Sequence, residues 1–495
     1  MSNLKPFSLA TNSPGFVTAK NGKLYLDGQD YSFASFNNPE LIGASDTEIE
    51  DIFRSLVAFA RPVTRTYTLG VVSVNVDNSS AFIQGWNNDT QNWIYNEASF
   101  VKLDRVMALA RKWGCKVIVP VINQDYGSQS TNYAGNWADL IQLYYNINGS
   151  NAYNESKAYN FWTDPYLIDA TKKIYTKLLS RTNTLNGVMY AHDSTFLAVE
   201  TGNELNLNMT PGFFPNTSLP APGSWTTNIA QHIKSLAPNL LVMDGSLSRS
   251  NRTEDKFNAT ALVSPHVDLF SYHYYDVQYG QLPFYDIPAD AAYIQSFGKT
   301  FVIGEHGFYP NTSQWDHFYK LQSCSPVAGS MVWGLRGHSD SGGFATHGEG
   351  GGIFSYHVPG WSPPVVADFD PLEQYVVAAT YSASYQLLDQ DVPFYPTPWA
   401  PTILSSNTTS NHTAYFQYIG GAWGEHYEIY HAPPNNDGEW RQVENSSRDN
   451  VGAGLANFTI NPEGFGNGNG TWIMRGVGVP PLLPKGPWSN ILTIM

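Results

Sequence analysis

The chain has 495 residues, 42% of them hydrophobic and 14% aromatic, which excludes a disordered polymer, and its two cysteines exclude a disulfide-framework domain. Lys+Arg 27 against Asp+Glu 42 leave a formal charge of −15. That balance repels phosphate backbones and argues against a nucleic-acid partner, and no apolar run reaches the ~18–20 residues of a membrane span. The partner to expect is neutral, either small or polymeric.

Two strand-like runs flank Asn21-Gly22, a two-residue hairpin signal. Eight β-branched or apolar runs follow, at 31–37, 63–69, 116–122, 195–201, 239–243, 267–273, 300–304 and 327–333. Helical periodicities separate most of them: Thr47 onward behind Ser45-Asp46, then 99–113, 164–182, 224–238 and 370–390. After the fifth run no helix can be placed. Eight alternations predict a (β/α)8 TIM barrel, with an open flavodoxin-like sheet as the alternative. The Pro-rich segment 391–402 ends the pattern, and short alternating runs punctuated by Gly, Asn and Pro follow it. The expected organisation is a barrel over 1–395 and a small C-terminal all-β sandwich over 400–495. Cys115 and Cys324 each precede a predicted strand and read as small buried hydrophobes.

In a barrel of this kind the chemistry sits at the C-terminal ends of the strands. Strand four ends in ETGNELN and strand seven in VIGEHGFY, so Glu204 and Glu305 approach the mouth from nearly opposite walls. Two carboxylates across an aromatic-lined pocket, one kept protonated and one ionised, are what cleavage of a glycosidic bond requires. Either residue alone would read more simply as a helix cap. The stretch 336–362 carries His338, Asp340, His347 and Glu349 among many glycines. A metal set is conceivable there, but the spacing fits no ligand motif, and a substrate-covering loop with glycine hinges is the preferred reading. The stretch 126–160 is rich in Tyr, Asn and Trp. The loops at 124–160 and 336–362 are expected to meet over the mouth and set the chain-length preference, with aromatic residues Tyr126, Tyr133, Trp137, Tyr144 and Trp361.

The Asn203-Glu204 pair and Glu305 resemble the corresponding residues of clan A glycoside hydrolases, and the chain over 1–390 most resembles family 5 toward its β-mannanase branch. The resemblance extends to Arg65 closing strand two, His273 and Tyr275 after strand six, and Trp333 ending strand eight. It implies Glu204 as acid/base and Glu305 as nucleophile of a retaining hydrolase. It also implies Asn203 on the sugar 2-hydroxyl, Arg65 and Tyr275 holding Glu305 ionised, His273 facing the sugar or Glu204, and Trp333 as the floor beneath the ring. Where mannanases carry Asn-Asn-Trp after strand three, this chain has Asn123-Gln124-Asp125-Tyr126. Asn123 stays among the sugar-binding candidates, and the role of that loop is open. The C-terminal strands resemble a fibronectin type III module, expected as a buttress in preference to a sugar-binding module.

The implied activity is cleavage of β-mannan, manno-oligosaccharides or another β-glycoside by a monomer, with no metal and no cofactor. The alternatives are a retaining enzyme for β-glucosidic, β-xylosidic or β-galactosidic bonds, a non-catalytic sugar-binding barrel, and a metallohydrolase. Asn-x-Ser/Thr sequons from Asn78 to Asn469 exceed what composition alone would give and point to a secreted glycoprotein, although the N-terminus carries no signal-peptide pattern.

Overall fold

The computed structural model describes residues 15–125, 134–205, 221–248, 250–275, 284–349, 352–353, 355–360, 370–408, 414–434, 440–449, 459–460 and 470–494. The chain forms two compact units, Met1–Ile42 with Arg61–Val332, and Gly43–Ala60 with Trp333–Met495.

The first unit holds all eight predicted barrel strands: β1 Phe33–Phe36, β2 Val63–Arg65, β3 Lys116–Pro120, β4 Phe196–Glu200, β5 Leu241–Asp244, β6 Leu269–Tyr275, β7 Thr300–Gly307 and β8 Val327–Val332. Their ladder is parallel, running from β1 through β8 and back down to β2. Between β1 and β2 the ring is drawn together by Asn38 N to Arg65 O (2.9 Å) and by Thr64 Oγ1 to Phe36 O (2.9 Å). Strands buried on both faces read as continuous apolar runs, which is why all eight were visible in the sequence. Inside, Phe33, Val63, Ile118, Ala198, Met243, Leu269, Val302 and Met331 share one core with Val17 and Leu24 of the N-terminal hairpin.

That hairpin, Thr18–Lys20 with Lys23–Leu26, turns at Asn21 (φ 50°) and Gly22 (φ 82°), as Asn-Gly predicts. Lys116 Nζ, at the first residue of β3, donates to Gly15 O (3.0 Å), so the N-terminal segment closes the bottom of the barrel and leaves chemistry to the opposite end. Helices Glu97–Trp113, Pro165–Leu179 and Gly223–Leu236 fall where their periodicity places them. Among the described residues between β5 and β6 there are two one-turn helices, Thr253–Lys256 and Ala259–Leu262, too short to show a period.

Two sequence readings need correction. Cys115 is buried as expected, but Cys324 is exposed because it caps the C-terminus of helix Thr312–Ser323 instead of entering β8, and both thiols are free. Trp137 is no sugar platform. It opens helix Trp137–Tyr145 and is fully buried against Phe161 and Trp162. Tyr144 packs on Trp86. Tyr126, Tyr133 and Trp361 lie outside the described residues.

In the second unit, helix Asp46–Leu56 and helix Glu373–Gln386 accompany two antiparallel sheets. One contains Thr402–Thr408, Ala414–Ile419 and Thr459–Ile460, the other Arg441–Ser447, His426–Ala432, Gly470–Val477, Lys485–Trp488 and Leu492–Ile494. Ile403 and Tyr418 from the first sheet meet Tyr427, Ile429, Trp472 and Met474 from the second in one core, giving an all-β sandwich. The compact unit extends beyond 400–495 because buried bonds tie the sandwich to the helix at 46–56: Ala422 N to Asp51 Oδ1 (3.0 Å) and Trp423 Nε1 to Ser55 O (3.2 Å).

His338, one of the suggested metal ligands, is instead buried between two carboxylates, with Nδ1 2.7 Å from Asp51 and Nε2 3.1 Å from Asp449. Asp340 accepts from Ser45 Oγ at 2.8 Å. Burial alone would lower the His338 pKa, but the Asp51 and Asp449 charges overcome it and push it up to about 10. For Asp51 burial acts upward, and the His338 charge outweighs it and holds the carboxyl below its usual range.

The sign of the pH dependence follows. His338 contributes fully below its ordinary pKa of ~6.5, and that contribution is lost as pH rises through about 10. The Asp51 contribution is present above ~3.9 and is lost as pH falls further. Calorimetric unfolding across pH should therefore show stability declining from near-neutral pH toward 10 in the wild type. In His338→Gln that alkaline slope should flatten, with a loss of about 3–5 kcal/mol at pH 6 from two stranded carboxylates.

Candidate active site

Seven of the eight sequence-predicted site residues meet at the C-terminal end of the barrel in one hydrogen-bonded network. Arg65 is the last residue of β2, His273 and Tyr275 end β6, and Glu305 lies near the end of β7. Asn123 and Asn203 bridge each other just beyond β3 and β4, and Asn203 N donates to Ile122 O at 2.7 Å. The β6–β7 register slips here: Tyr272 pairs with Ile303 but His273 with Glu305, leaving Gly304 as the extra residue. A Cβ on Gly304 would lie 2.3 Å from Ser271 Oγ and 2.9 Å from His273 Nε2, so only glycine lets the bulge turn His273 and Glu305 toward each other. Glu204 itself sits in the left-handed region (φ 51°), a strained setting for a side chain with a Cβ and one that recurs at functional sites.

Arg65 organises the network. Its guanidinium is fully buried and donates to Glu200 through Nε (2.6 Å) and Nη2 (3.2 Å), to Glu305 Oε1 through Nη1 (2.7 Å), and to Asn203 Oδ1 through Nη2 (2.8 Å). With Oδ1 so engaged, Asn203 directs Nδ2 to Asn123 Oδ1 (3.0 Å) and the Tyr67 hydroxyl (3.4 Å). Tyr275 donates to the second oxygen of Glu305 at 2.5 Å, and Phe308 stacks on the Tyr275 ring. His273 Nδ1 lies 2.8 Å from Glu204 Oε1 and 3.4 Å from Glu305 Oε2. The other Glu204 oxygen accepts from Gln124 Nε2.

Burial would depress the His273 pKa, but the Glu305 and Glu204 carboxylates overcome it and raise the imidazole above its usual value. Glu305 behaves differently from the expectation that Arg65 and Tyr275 keep it low. Burial raises it, the His273 and Arg65 charges and the Tyr275 hydroxyl pull it down, and Glu204 pushes it up again; the net direction is upward. The physical reason is burial, which His273, the Tyr275 hydroxyl and an Arg65 shared with Glu200 only partly offset.

One donor atom each from Glu204, His273 and Glu305 lie within 4.8 Å of one another, a set that could seat a cation in size. The Arg65 guanidinium and the raised His273 already supply positive charge to both carboxylates, which suits proton and carbon chemistry better than metal binding. Trp333 follows β8 and belongs to the second unit, where its buried ring meets His347 edge-on at 5.8 Å. Sequence reasoning missed Glu200, Gln124 and Tyr67. Glu200 had a usable signal, an acid ending an apolar strand run that faces a lone arginine ending another.

A family model described as glycoside hydrolase family 5, beta-mannosidase-like, matches residues 14–306. The chain belongs to that family. Among curated relatives, mannan endo-1,4-beta-mannosidase 1 of Solanum lycopersicum is 26% identical over 66% of this chain and 84% of its own length. Mannan endo-1,4-beta-mannosidase 1 of Oryza sativa is 29% identical over 47% of this chain, and the match spans only about half (49%) of that relative. In fold, the chain resembles an endo-1,4-beta-mannanase from Rhizomucor miehei (TM-score 0.54, 20% identity, 65% of this chain and 91% of that one). It also resembles a family 5 mannosidase from the same organism (TM-score 0.53, 17% identity, 76% and 98%).

The shared Arg65 charge makes a prediction. Glu200→Gln removes one anion from a buried triad, which should lower stability by about 3–5 kcal/mol in denaturant unfolding. The same variant should move the Glu305 carboxyl titration, followed by 13C NMR of labelled glutamate, to lower pH, because Arg65 then acts on Glu305 alone.

Proposed function

We propose that this chain is a retaining glycoside hydrolase acting on β-mannosidic bonds of mannan or manno-oligosaccharides. The observation that carries the reading is the pair Glu204 and Glu305, whose facing atoms lie within 4.8 Å and whose surroundings differ. Retaining enzymes hold their two carboxyls about 5–5.5 Å apart, close enough for one of them to reach the anomeric carbon itself. The mannan-directed names of the relatives favour mannose over other sugars.

In the first step a Glu305 oxygen attacks C1 of the sugar while Glu204 gives its proton to the departing glycosidic oxygen. The C1–O bond breaks and a glycosyl ester forms on Glu305. In the second step Glu204, now ionised, takes a proton from water, the water oxygen attacks C1, and Glu305 leaves as carboxylate. Arg65 and Tyr275 hold Glu305 on separate oxygens, so its attacking lone pair keeps one direction. Asn203, its amide orientation fixed by Arg65 and Asn123, is read as the partner of the sugar 2-hydroxyl.

The enzyme is read as a secreted monomer. The C-terminal strands are read as a fibronectin type III-like buttress, because their buried bonds to the helix at 46–56 serve stability.

The glutamates should fail in different ways. Glu305→Ala should lose turnover by several orders of magnitude and regain it with azide, giving the α-mannosyl azide. Glu204→Ala should keep most activity on dinitrophenyl β-mannoside while losing about 10²–10⁴-fold on mannobiose, whose leaving alcohol needs the proton. Equal losses on both substrates, or product released with the α configuration from wild type, would overturn the assignment.

A further inference from the structure

Gln124 lies in the stretch after β3 where this chain departs from the Asn-Asn-Trp of the mannanases it resembles, and it is 1% exposed. Its amide nitrogen donates to Glu204 Oε2, while His273 Nδ1 meets Oε1 at 2.8 Å. Both oxygens of Glu204 are therefore held, one by a group whose charge varies with pH and one by a group whose charge never does. The backbone of Glu204 is itself fixed in the left-handed region, so the side-chain clamp sets the remaining freedom of the carboxyl. The charged and titratable groups converging on this carboxyl are His273 from β6 and Glu305 from β7, with Arg65 from β2 and Tyr275 behind Glu305.

We propose that Gln124 is a positioning residue for the reaction: its amide aims the Glu204 carboxyl and, by favouring the ionised form, sets the upper pH limit of activity. The inference rests on Glu204 acting as acid/base. An N–H donated to a carboxylate stabilises the charged form and is lost in part when that oxygen takes up a proton. A general acid must carry the proton at the moment of bond cleavage, so any group that favours the ionised form lowers the pH at which activity falls away. Gln124 holds the carboxyl steady while it gives up its proton and regains one.

The test is the pH profile of kcat/KM for Gln124→Leu, close in size but without the amide, measured on mannobiose and on dinitrophenyl β-mannoside. The expected result is an alkaline limb moved up by about one pH unit, the equivalent of one charge-assisted hydrogen bond. At pH 6 mannobiose turnover should fall about tenfold while dinitrophenyl mannoside changes less than about twofold, because only the former needs the aimed proton. Gln124→Glu provides a second variant of the same shape; its added carboxylate should move the limb up further by like-charge repulsion. An alkaline limb unmoved in both variants, or equal losses on the two substrates, overturns the proposal. If Glu204→Ala in the otherwise wild-type chain were to lose both substrates equally, the acid/base reading itself would fail.

Discussion

The site depends on a single buried cation. Arg65 has no exposed surface, and a guanidinium without water survives only if carboxylates and amides take up its donors. Glu200, Glu305 and Asn203 do so, and each is thereby fixed: one strand end from β2 dictates the orientation of residues from β4 and β7. The Glu204–His273 contact, the Asn203–Asn123 contact and the Tyr275 hydroxyl fill the positions that this arrangement leaves. An aspartate or glutamate pair without such a cation would repel, and burial would protonate both members.

The balance of charge within this network also explains why Glu305 is raised where simple pairing with arginine would lower it. Burial dominates, and Glu200 divides the arginine between two acids. A carboxylate that is fully stabilised is a poor nucleophile, so a partly satisfied one is better suited to attack carbon. Glu204 has the complementary situation, bracketed by Gln124 and an imidazole that both carboxylates help to charge. Two glutamates of identical chemistry thus acquire different surroundings, which is what the proposed division of tasks requires.

Much of this was legible in the sequence because strands covered on both faces must be apolar throughout. Eight such runs, from 31–37 to 327–333, coincide with β1–β8, and polar residues within or just beyond the C-terminal ends of several of them form the candidate site. The remainder was hidden for physical reasons. The segment after β5 folds as single turns, which carry no amphipathic period. Glu200 was visible as an acid near the end of an apolar run, but its partner Arg65 lies 135 residues away and meets it only in the fold. His338 was visible as an unusual histidine, but Asp51 and Asp449, which give it its role, are distant in sequence and join it only in the folded unit. Trp137 looked like a surface aromatic because its loop is polar, whereas its own helix turns it inward.

The most direct test of the central claim is to trap the glycosyl ester. Incubation with 2-deoxy-2-fluoro-β-mannosyl fluoride, which slows both steps while the fluoride leaving group keeps the first accessible, should add one fluorosugar per chain. Peptide mass mapping should place it on Glu305, with Glu305→Gln unlabelled and Glu204→Gln labelled. Labelling at Glu204, at Glu200 or at any other residue, or inactivation without a covalent adduct, would contradict the account.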